Sequence, residues 1–561
     1  MTAKLKIVLA QLDPCAGDLK ANTDKAIRII RENRGADLVV FSECYLTGYP
    51  VDDLVLRPNF LASVEEHLAI LTRAVVEIGG PAVIVGAPEE GCDLPYNSAY
   101  FITPEGSKRV IRKLNRPNDG VFDEVRYFAE GTMRPPITYR GVRLGIGICE
   151  EMWHPEVARH LAGHLADVLI FINGSPYSRD KHEQERLRHA RTRVRETGLP
   201  LIYVNQVGGQ DELVFDGASF VLREDGTLAL QMTAFKEEVV AFTFPLPTRE
   251  IGFENYPYND EADYLACVAA LRGYVEKNGY RRVVFGMSGG MDSAFAGTIA
   301  VDALGADRVR ALTLPSFVTS QENLADAKLA CASLGIELQT REIGPAFEAV
   351  QRMMGFYGRQ PTVTEENMQA RLRMIALMAW SNEYGDLVIT TGNKSENAVG
   401  YATLYGDMAG GFNPLKDLYK TEVWNLAAVR NSMFPQDYGL LGPEDPIPQQ
   451  IIEKPPTAEL AVGQTDEASL GPYFVLDAIL RGIVDEDLDS ETALKKAVAK
   501  VGKRAADPEV AKFLTIEHAR HIGRLVRRAE YKRRQSAPGA KIGPRAFGRD
   551  RRYPIVNRFD Y

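Results

Sequence analysis

Short runs of apolar residues recur through the first half of the chain, each closing on a small or polar residue. "ADLVVFSE", "PAVIVGAPE", "RLGIGICEE", "ADVLIFING" and "PLIYVNQVG" are of this kind, the pattern of strands buried on both faces. Between them "NTDKAIRIIREN" and "RPNFLASVEEHLAILTRAVVEIG" space their apolar residues at three and four, which predicts helices. Prolines, glycine and asparagines break every period in "FPLPTREIGFENYPYND". A linker is therefore expected over residues 246–260, dividing a first domain, 1–245, from a second, 261–561. In the second, "EADYLACVAALRGYVEKNG" places Leu265, Val268, Leu271 and Val275 on one helical face and stops at Gly279. The strand "RRVVFGM", the loop "SGGMDS" and the helix "AFAGTIAVDALG" follow. Strand, glycine-rich loop and helix open a doubly wound parallel sheet, so the fold class is α/β. The proline-rich "FPQDYGLLGPEDPIPQQIIEKPP" is expected to be irregular and mobile.

Composition narrows the class without naming a function. The 561 residues exceed one ordinary core, and 45% hydrophobic with 25% charged residues is a globular balance. A net charge of -9 argues against bulk nucleic-acid binding. No apolar run approaches about 18 residues, and "MTAKLKIVLAQLDP" lacks a signal pattern, so no membrane role is expected. Six cysteines form no CxxC pair, which favours reduced thiols and a cytoplasmic location.

The loop carries the first chemistry. Gly289 and Gly290 let backbone N–H groups turn toward an anion, the helix N-terminus adds its positive end, and Ser288 and Ser293 supply hydroxyls. With no Walker lysine, such a loop suits a group that leaves intact, and pyrophosphate is the obvious candidate. Alone, the stretch also fits a tight structural turn.

Its companions point further. The loop resembles those of the ATP pyrophosphatases. "ENMQARLRMIALMAWSNE", "VITTGNKSENAVGYATLYGDMAGGFNPLKDLYKTEVW", "EKPPTAELAVGQTDEASLGPY" and "EYKRRQSAPGAKIGPRAFGRDRRYPI" together resemble NAD synthetase across residues 264–557. The resemblance implies a Rossmann-like domain of the adenine nucleotide alpha hydrolase type, with deamido-NAD (nicotinic acid adenine dinucleotide) and ATP as substrates. It assigns ATP binding to Gly286, Met287, Ser288, Gly289, Gly290, Met291, Asp292, Ser293 and Thr391, and deamido-NAD binding to Asn367, Glu396 and Lys532. Adenylating a carboxylate calls for Mg²⁺ on the ATP phosphates, and Asp292 and Glu396 are the carboxylates of the matching motifs. Lys416 and Lys420 fall in a block resembling a phosphate-facing loop. Residues 519–558 hold thirteen Lys/Arg against two Asp/Glu. Interleaved with apolar residues, they are expected to form an ordered strap over a polyphosphate.

Amidation needs an unprotonated nitrogen source. Cys149 ends an apolar strand, where a cysteine is as readily a small buried hydrophobe. Glu43 and Lys113 lie at two other strand ends, and the three resemble the Glu, Lys, Cys triad of the nitrilase superfamily. With "YVNQVGGQDELVFDGASF", they resemble the glutaminase domain fused to NAD synthetases, over residues 6–244. An α-β-β-α sandwich is implied. Glu43 is then the general base, Cys149 the nucleophile that forms a γ-glutamyl thioester, Lys113 the oxyanion donor and Glu124 a second, positioning carboxylate. Ser175 and Lys181 match residues that hold glutamine. Where the family reads "LPNYGVFDE" this chain has "RPNDGVFDE", so Arg116 and Asp119 depart from the pattern and Asp119 takes the place of a glutamine-contacting tyrosine. His154 raises a rival Cys-His dyad.

The expected activity is that of a carbon-nitrogen ligase, ATP-dependent amidation of deamido-NAD by ammonia from L-glutamine, in a homo-oligomer with a water-poor ammonia passage. Amidation of another acceptor, such as a purine nucleotide or tRNA base, and a non-catalytic nucleotide-binding scaffold stand as alternatives.

Overall fold

A computed structural model describes residues 4–247, 252–257, 259–358, 362–454 and 470–559. The chain divides into two compact units, Met1–Asn259 and Asp260–Tyr561.

The first unit is built from strands with two buried faces. In β1 (Leu5–Gln11), Leu5, Ile7 and Leu9 join one core while Val8 and Ala10 join another, the period-two alternation of a pleated strand. Its sheet runs β14 (Glu238–Phe244), β1, β2 (Leu38–Val40), β3 (Ala82–Glu89), β4 (Tyr96–Ile102) and β5 (Lys108–Arg112). A second sheet runs β15 (Gly252–Phe253), β13 (Leu228–Gln231), β12 (Phe220–Leu222), β9 (Leu201–Asn205), β8 (Val168–Asn173), β7 (Val142–Ile148) and β6 (Ile137–Tyr139), and β10 (Val207–Gln210) with β11 (Leu213–Asp216) forms a hairpin. Inner faces of both sheets share one core, with Ile7, Val40 and Ile84 meeting Ile146, Ile148, Ile170 and Val204. Helices α1 (Leu19–Glu32) and α2 (Pro58–Ile78) cover the outer face of the first sheet through Ile30, Leu68 and Leu71. A short α3 (Glu124–Tyr127) leads toward α4 (Pro155–Gly163) and α5 (Arg188–Thr197), which cover the second sheet through Leu161 and Val194. The layers are α-β-β-α.

The second unit opens with α6 (Asp260–Lys277) and a parallel sheet ordered β18 (Glu337–Thr340), β17 (Val309–Thr313), β16 (Val283–Gly286), β19 (Leu387–Val388). Counted within the unit, the order is 3-2-1-4, so the chain reverses direction of travel between β16 and β19. Ligands of doubly wound sheets bind at such a switch point, beyond the strands' carboxyl ends. Helices α7 (Met291–Leu304), α8 (Gln321–Leu334), α9 (Gly344–Met354), α10 (Val363–Tyr384), α11 (Lys394–Val399) and α12 (Lys420–Ser432) complete this part, and 470–559 add a mainly helical extension.

Three local expectations change. Helix α6 is buried nearly all round and not on one face alone, because alanines and Cys267 line its second side and admit close neighbours, while the Tyr264 hydroxyl donates to Asp302. The proline-rich span holds helical turns at Pro435–Tyr438 and Gln449–Glu453, since proline at a first helical position or just before it gives up no bonded N–H. Within the expected linker, Gly252 and Phe253 pair with Leu230 and Gln231 on β13; residues 248–251 and 258 lie outside the described residues, as do 455–469 of the "EKPPTAELAVGQTDEASLGPY" block.

Candidate active sites

In the first unit, residues at the ends of strands from both sheets converge. Beyond β2, Glu43 is fully buried; its Oε1 accepts from Lys113 Nζ at 2.8 Å and Asn97 Nδ2 at 2.7 Å, and its Oε2 from the Gly174 N–H at 2.7 Å. A Cβ on Gly174 would sit 2.9 Å from the Tyr49 ring, so only glycine brings this N–H so close. Lys113, just beyond β5, also donates to Glu124 Oε1 at 2.9 Å, and that oxygen accepts from the Tyr49 hydroxyl at 2.9 Å. Burial opposes the charge on Lys113, but Glu124 and Glu43 prevail and push its pKa well up. Burial raises Glu124 to about 7 against the pull of Lys113.

Cys149 sits on a sharp elbow. It follows β7, has φ +45°, and begins the short turn Cys149–Met152. A non-glycine residue in this left-handed region stores strain of the kind found at functional sites. Burial first, then the negative charge of Glu43, holds the thiol well above its ordinary pKa, with Lys113 pulling the other way. Cys149 at rest is thus a thiol.

Glu151, buried two residues on, is a residue the sequence reading missed. Its Oε1 accepts from the Leu114 N–H at 2.6 Å and its Oε2 from the Ile148 N–H at 2.7 Å. Leu114 follows Lys113 and Ile148 precedes Cys149, so one carboxylate staples both catalytic candidates through their neighbours. Asn97, Tyr49 and Gly174 were missed as well. The signal was a polar Asn97 inside the apolar alternation of β4, since a buried amide needs partners.

Ser175 and Lys181 share one segment past β8. The Ser175 backbone bonds both ways with the Asn205 amide at 2.9 and 3.0 Å, and Lys181 Nζ donates to the Pro176 carbonyl at 3.2 Å. Burial pushes Lys181 down to about 8. Asp119 is exposed on the loop between Lys113 and Glu124, where its carbonyl accepts from the Phe122 N–H. Arg116 turns to the Phe128 carbonyl and Glu130. His154 pairs with Glu150 at 3.2 Å, its side chain 48% exposed.

In the second unit, Gly286 to Ser293 leave the carboxyl end of β16 and turn into α7 at the switch point. Gly289 has φ +91°, and a Cβ there would lie 2.3 Å from the Asn323 carbonyl. The hydroxyls of Ser288 and Ser293 lie 3.1 Å apart, and Ser288 Oγ accepts from the Gly290 N–H at 3.2 Å. Met287, Ser288, Leu314, Met374 and Thr391 line a cavity of about 230 Å³.

Asp292 pairs with Lys420, which also lies 3.8 Å from Glu396. Asn393 bridges the same two acids, with Nδ2 3.5 Å from Asp292 and its N–H on Glu396 Oε2 at 3.3 Å. Among the described residues no group of three or more His, Cys, Asp or Glu side chains is arranged to hold a metal ion. Mg²⁺ is commonly held by one or two carboxylates with phosphate oxygens and water. Two carboxylates sharing one cation, Lys420, fit that demand. Lys416 is buried against Gly539.

Asn367 and Lys532 meet through one loop: Asn367 Oδ1 accepts from Thr403 Oγ1 at 2.7 Å, and Lys532 Nζ donates to the Gly400 and Ala402 carbonyls at 2.8 Å each. Glu396 lies at the start of α11, just before that loop. The basic strap is ordered by its own anchors. The N–H groups of Ile542 and Gly543 donate to Asp417 at 2.7 Å, Lys394 donates to the Arg545 carbonyl at 2.7 Å, and the buried Arg533 to the Ala398 carbonyl at 2.7 Å. Much of the positive charge expected to face a polyphosphate thus binds protein carbonyls and acids instead.

Residues 6–250 match the carbon-nitrogen hydrolase family and residues 264–536 the NAD synthase family. The chain is 45% identical over 576 residues to the glutamine-dependent NAD(+) synthetase of Rhodobacter capsulatus, covering 100% of this chain and 99% of the relative. It is 39% identical to that of Thermotoga maritima, over 99% of each. Among solved structures, glutamine-dependent NAD+ synthetase from Acinetobacter baumannii in complex with ADP superposes with a TM-score of 0.74 at 37% identity, over 99% of both chains. A Cytophaga hutchinsonii glutamine-dependent NAD(+) synthetase, 19% identical, shares the fold with a TM-score of 0.80 over 99% of this chain and 98% of its own. No helix among the described residues is long and apolar enough to cross a membrane. With two family models in series and full-length relatives of this identity, the chain belongs to the glutamine-dependent NAD(+) synthetases.

Proposed function

We propose that this chain amidates deamido-NAD to NAD, consuming ATP, glutamine and water and releasing AMP, pyrophosphate and glutamate. The reading is carried by one juxtaposition: a buried Glu43, Lys113 and Cys149 cluster and a lysine-free phosphate loop at a switch point, on one chain.

In the first unit, Cys149 is a thiol at rest, so its proton passes to Glu43 as sulfur attacks the glutamine amide. Lys113, fixed by two carboxylates, faces the developing oxyanion. One such donor is worth about 3 kcal/mol. Glu43 then gives that proton to the amide nitrogen, which departs as ammonia, and water cleaves the thioester. Ser175 and Lys181 hold the two charged ends of glutamine, Glu124 positions Lys113, and exposed Asp119 faces the incoming α-ammonium.

In the second unit, the residues from Gly286 to Ser293 cradle the ATP phosphates, and Thr391 with the apolar lining of the cavity takes the adenine. Asn367, Lys532 and Glu396 hold deamido-NAD through the 396–403 segment. Asp292 and Glu396 would hold Mg²⁺, which supplies charge neutralisation on the phosphates when bound. Lys420, beside both acids, would add its positive charge to the phosphate site. A cytoplasmic, homo-oligomeric enzyme fits this reading.

The test offers glutamine, then ammonium, to wild type and Cys149→Ala. The expected result is NAD and AMP from both sources in wild type and from ammonium alone in the variant. Failure of wild type to release pyrophosphate with deamido-NAD, Mg-ATP and ammonium overturns the reading.

A further inference from the structure

Behind the glutamine segment lies a buried polar chain that none of these roles uses. Arg186 and Asp216 are fully buried and paired twice, at 2.7 and 2.6 Å. The guanidinium also donates to the Ser175 and Pro176 carbonyls at 2.8 and 2.9 Å and approaches Ser175 Oγ at 3.3 Å. Pro176 in turn accepts from Lys181. One fork therefore fixes the backbone carrying both residues assigned to glutamine.

The other side of Asp216 is held from an unexpected place. Tyr256, buried and four residues before α6 begins, donates its hydroxyl to Asp216 Oδ2 at 2.8 Å. Its ring stacks on His182 at 4.1 Å and 6°. His182 follows Lys181 in sequence, and burial followed by the nearby Arg186 pushes it down to about 4, so the stacked imidazole is neutral. A buried carboxylate that loses one of its donors rearranges, because an under-satisfied charge is costly in a dry interior. The other side-chain partner of Asp216 among the hydrogen bonds of the described residues is Arg186, which holds the Ser175 and Pro176 carbonyls.

We infer that Tyr256, near the C-terminal end of the first unit, is a positioning residue for glutamine, acting through Asp216 and Arg186 on the Ser175 to Lys181 segment. The carbon-nitrogen hydrolase match ends at residue 250. By this inference the working glutaminase extends past that boundary to Tyr256. The inference rests on the assignment of Ser175 and Lys181 to glutamine.

The experiment uses the full-length enzyme with Tyr256→Phe, which keeps the ring stack and deletes the hydroxyl. The glutamine KM is expected to rise about fivefold to tenfold, kcat and ammonium-driven NAD synthesis staying within about twofold. In an Asp216→Asn background the same change is expected to add little, since both act on one bond. An unchanged glutamine KM in a variant with wild-type turnover overturns the inference and leaves the proposed function standing. Equal losses with glutamine and ammonium also overturn it, as the mark of a merely structural role. If glutamine turnover is indifferent to Ser175→Ala and Lys181→Met, the site assignment itself fails and the inference falls with it.

Discussion

The two sites treat charge in opposite ways. Around Cys149 the buried side chains already have their partners: Lys113 bonds two acids, Glu43 has three donors, and all are excluded from water. At the phosphate loop Asp292 and Glu396 are partly exposed and share the buried Lys420, in places a polyphosphate and its metal would claim. A small neutral amide brings no charge at its reacting end, so the groups that attack it must be organised beforehand. A polyanion brings its own counter-charges, and its site is built of pairs that exchange. Substitutions should therefore separate by nitrogen source in the first unit and strike both sources in the second.

The largest expected effect is Lys113→Met, which strips the proposed oxyanion donor and removes the shared partner of Glu43 and Glu124. Glutamine-driven synthesis is expected to fall about a thousandfold or more, while ammonium-driven synthesis stays within about twofold. His154→Ala is the matched control, expected to change neither rate, because its ring lies at the surface with Glu150. Activity lost in the His154 variant and kept in the Lys113 variant would replace the triad with a dyad.

Asp292→Asn comes next. Both nitrogen sources are expected to lose about a hundredfold in kcat/KM, with a raised requirement for Mg²⁺, because the carboxylate is the proposed metal ligand for phosphate chemistry common to both. A variant that loses only the glutamine reaction would erase the contrast drawn between the sites. Gly289→Ala tests the loop's backbone: a methyl group there meets the Asn323 carbonyl at 2.3 Å in a left-handed conformation. A KM for ATP raised about tenfold is expected, with glutamine hydrolysis measured as glutamate release spared.

How far the sequence reached follows the same division. Strand ends were legible because buried strands announce themselves as apolar blocks, and Glu43 and Cys149 close such blocks. The opening of the parallel sheet was legible from strand, loop and helix around Gly289, and the switch point only from the strand order. Helix α6 misled because alanine on its second face reads as neutral in a periodicity but packs tightly. Glu151 was hidden, since an acid after a strand reads as solvated until its two backbone donors are seen. The strap's arginines were hidden for a similar reason: composition counts their charge, and only the fold shows that Arg533 spends it on carbonyls.

Glu151 gives the smallest effect and the finest test of the preorganised site. Glutamine at this position offers one acceptor oxygen to the Leu114 and Ile148 N–H groups, so one neighbour of the catalytic pair loses its tether. Glutamine-driven kcat is expected to fall about tenfold in Glu151→Gln, with ammonium-driven synthesis unchanged. Burial raises the Glu151 carboxyl from an ordinary 4.5 to about 7, against its two backbone donors. The native state thus keeps a proton that the unfolded chain has released, and between those values the unfolded state binds fewer protons, so stability falls as pH rises. The contribution is fully present below about pH 4.5 and lost above about pH 7, a span worth about 3 kcal/mol at 1.36 kcal/mol per unit. Urea unfolding of the first unit at about pH 5 and about pH 8 is expected to show that loss in wild type and a much flatter response in Glu151→Gln. Equal slopes in the two proteins would mean that Glu151 ionises without cost, and the staple between Lys113 and Cys149 would then owe nothing to a buried charge.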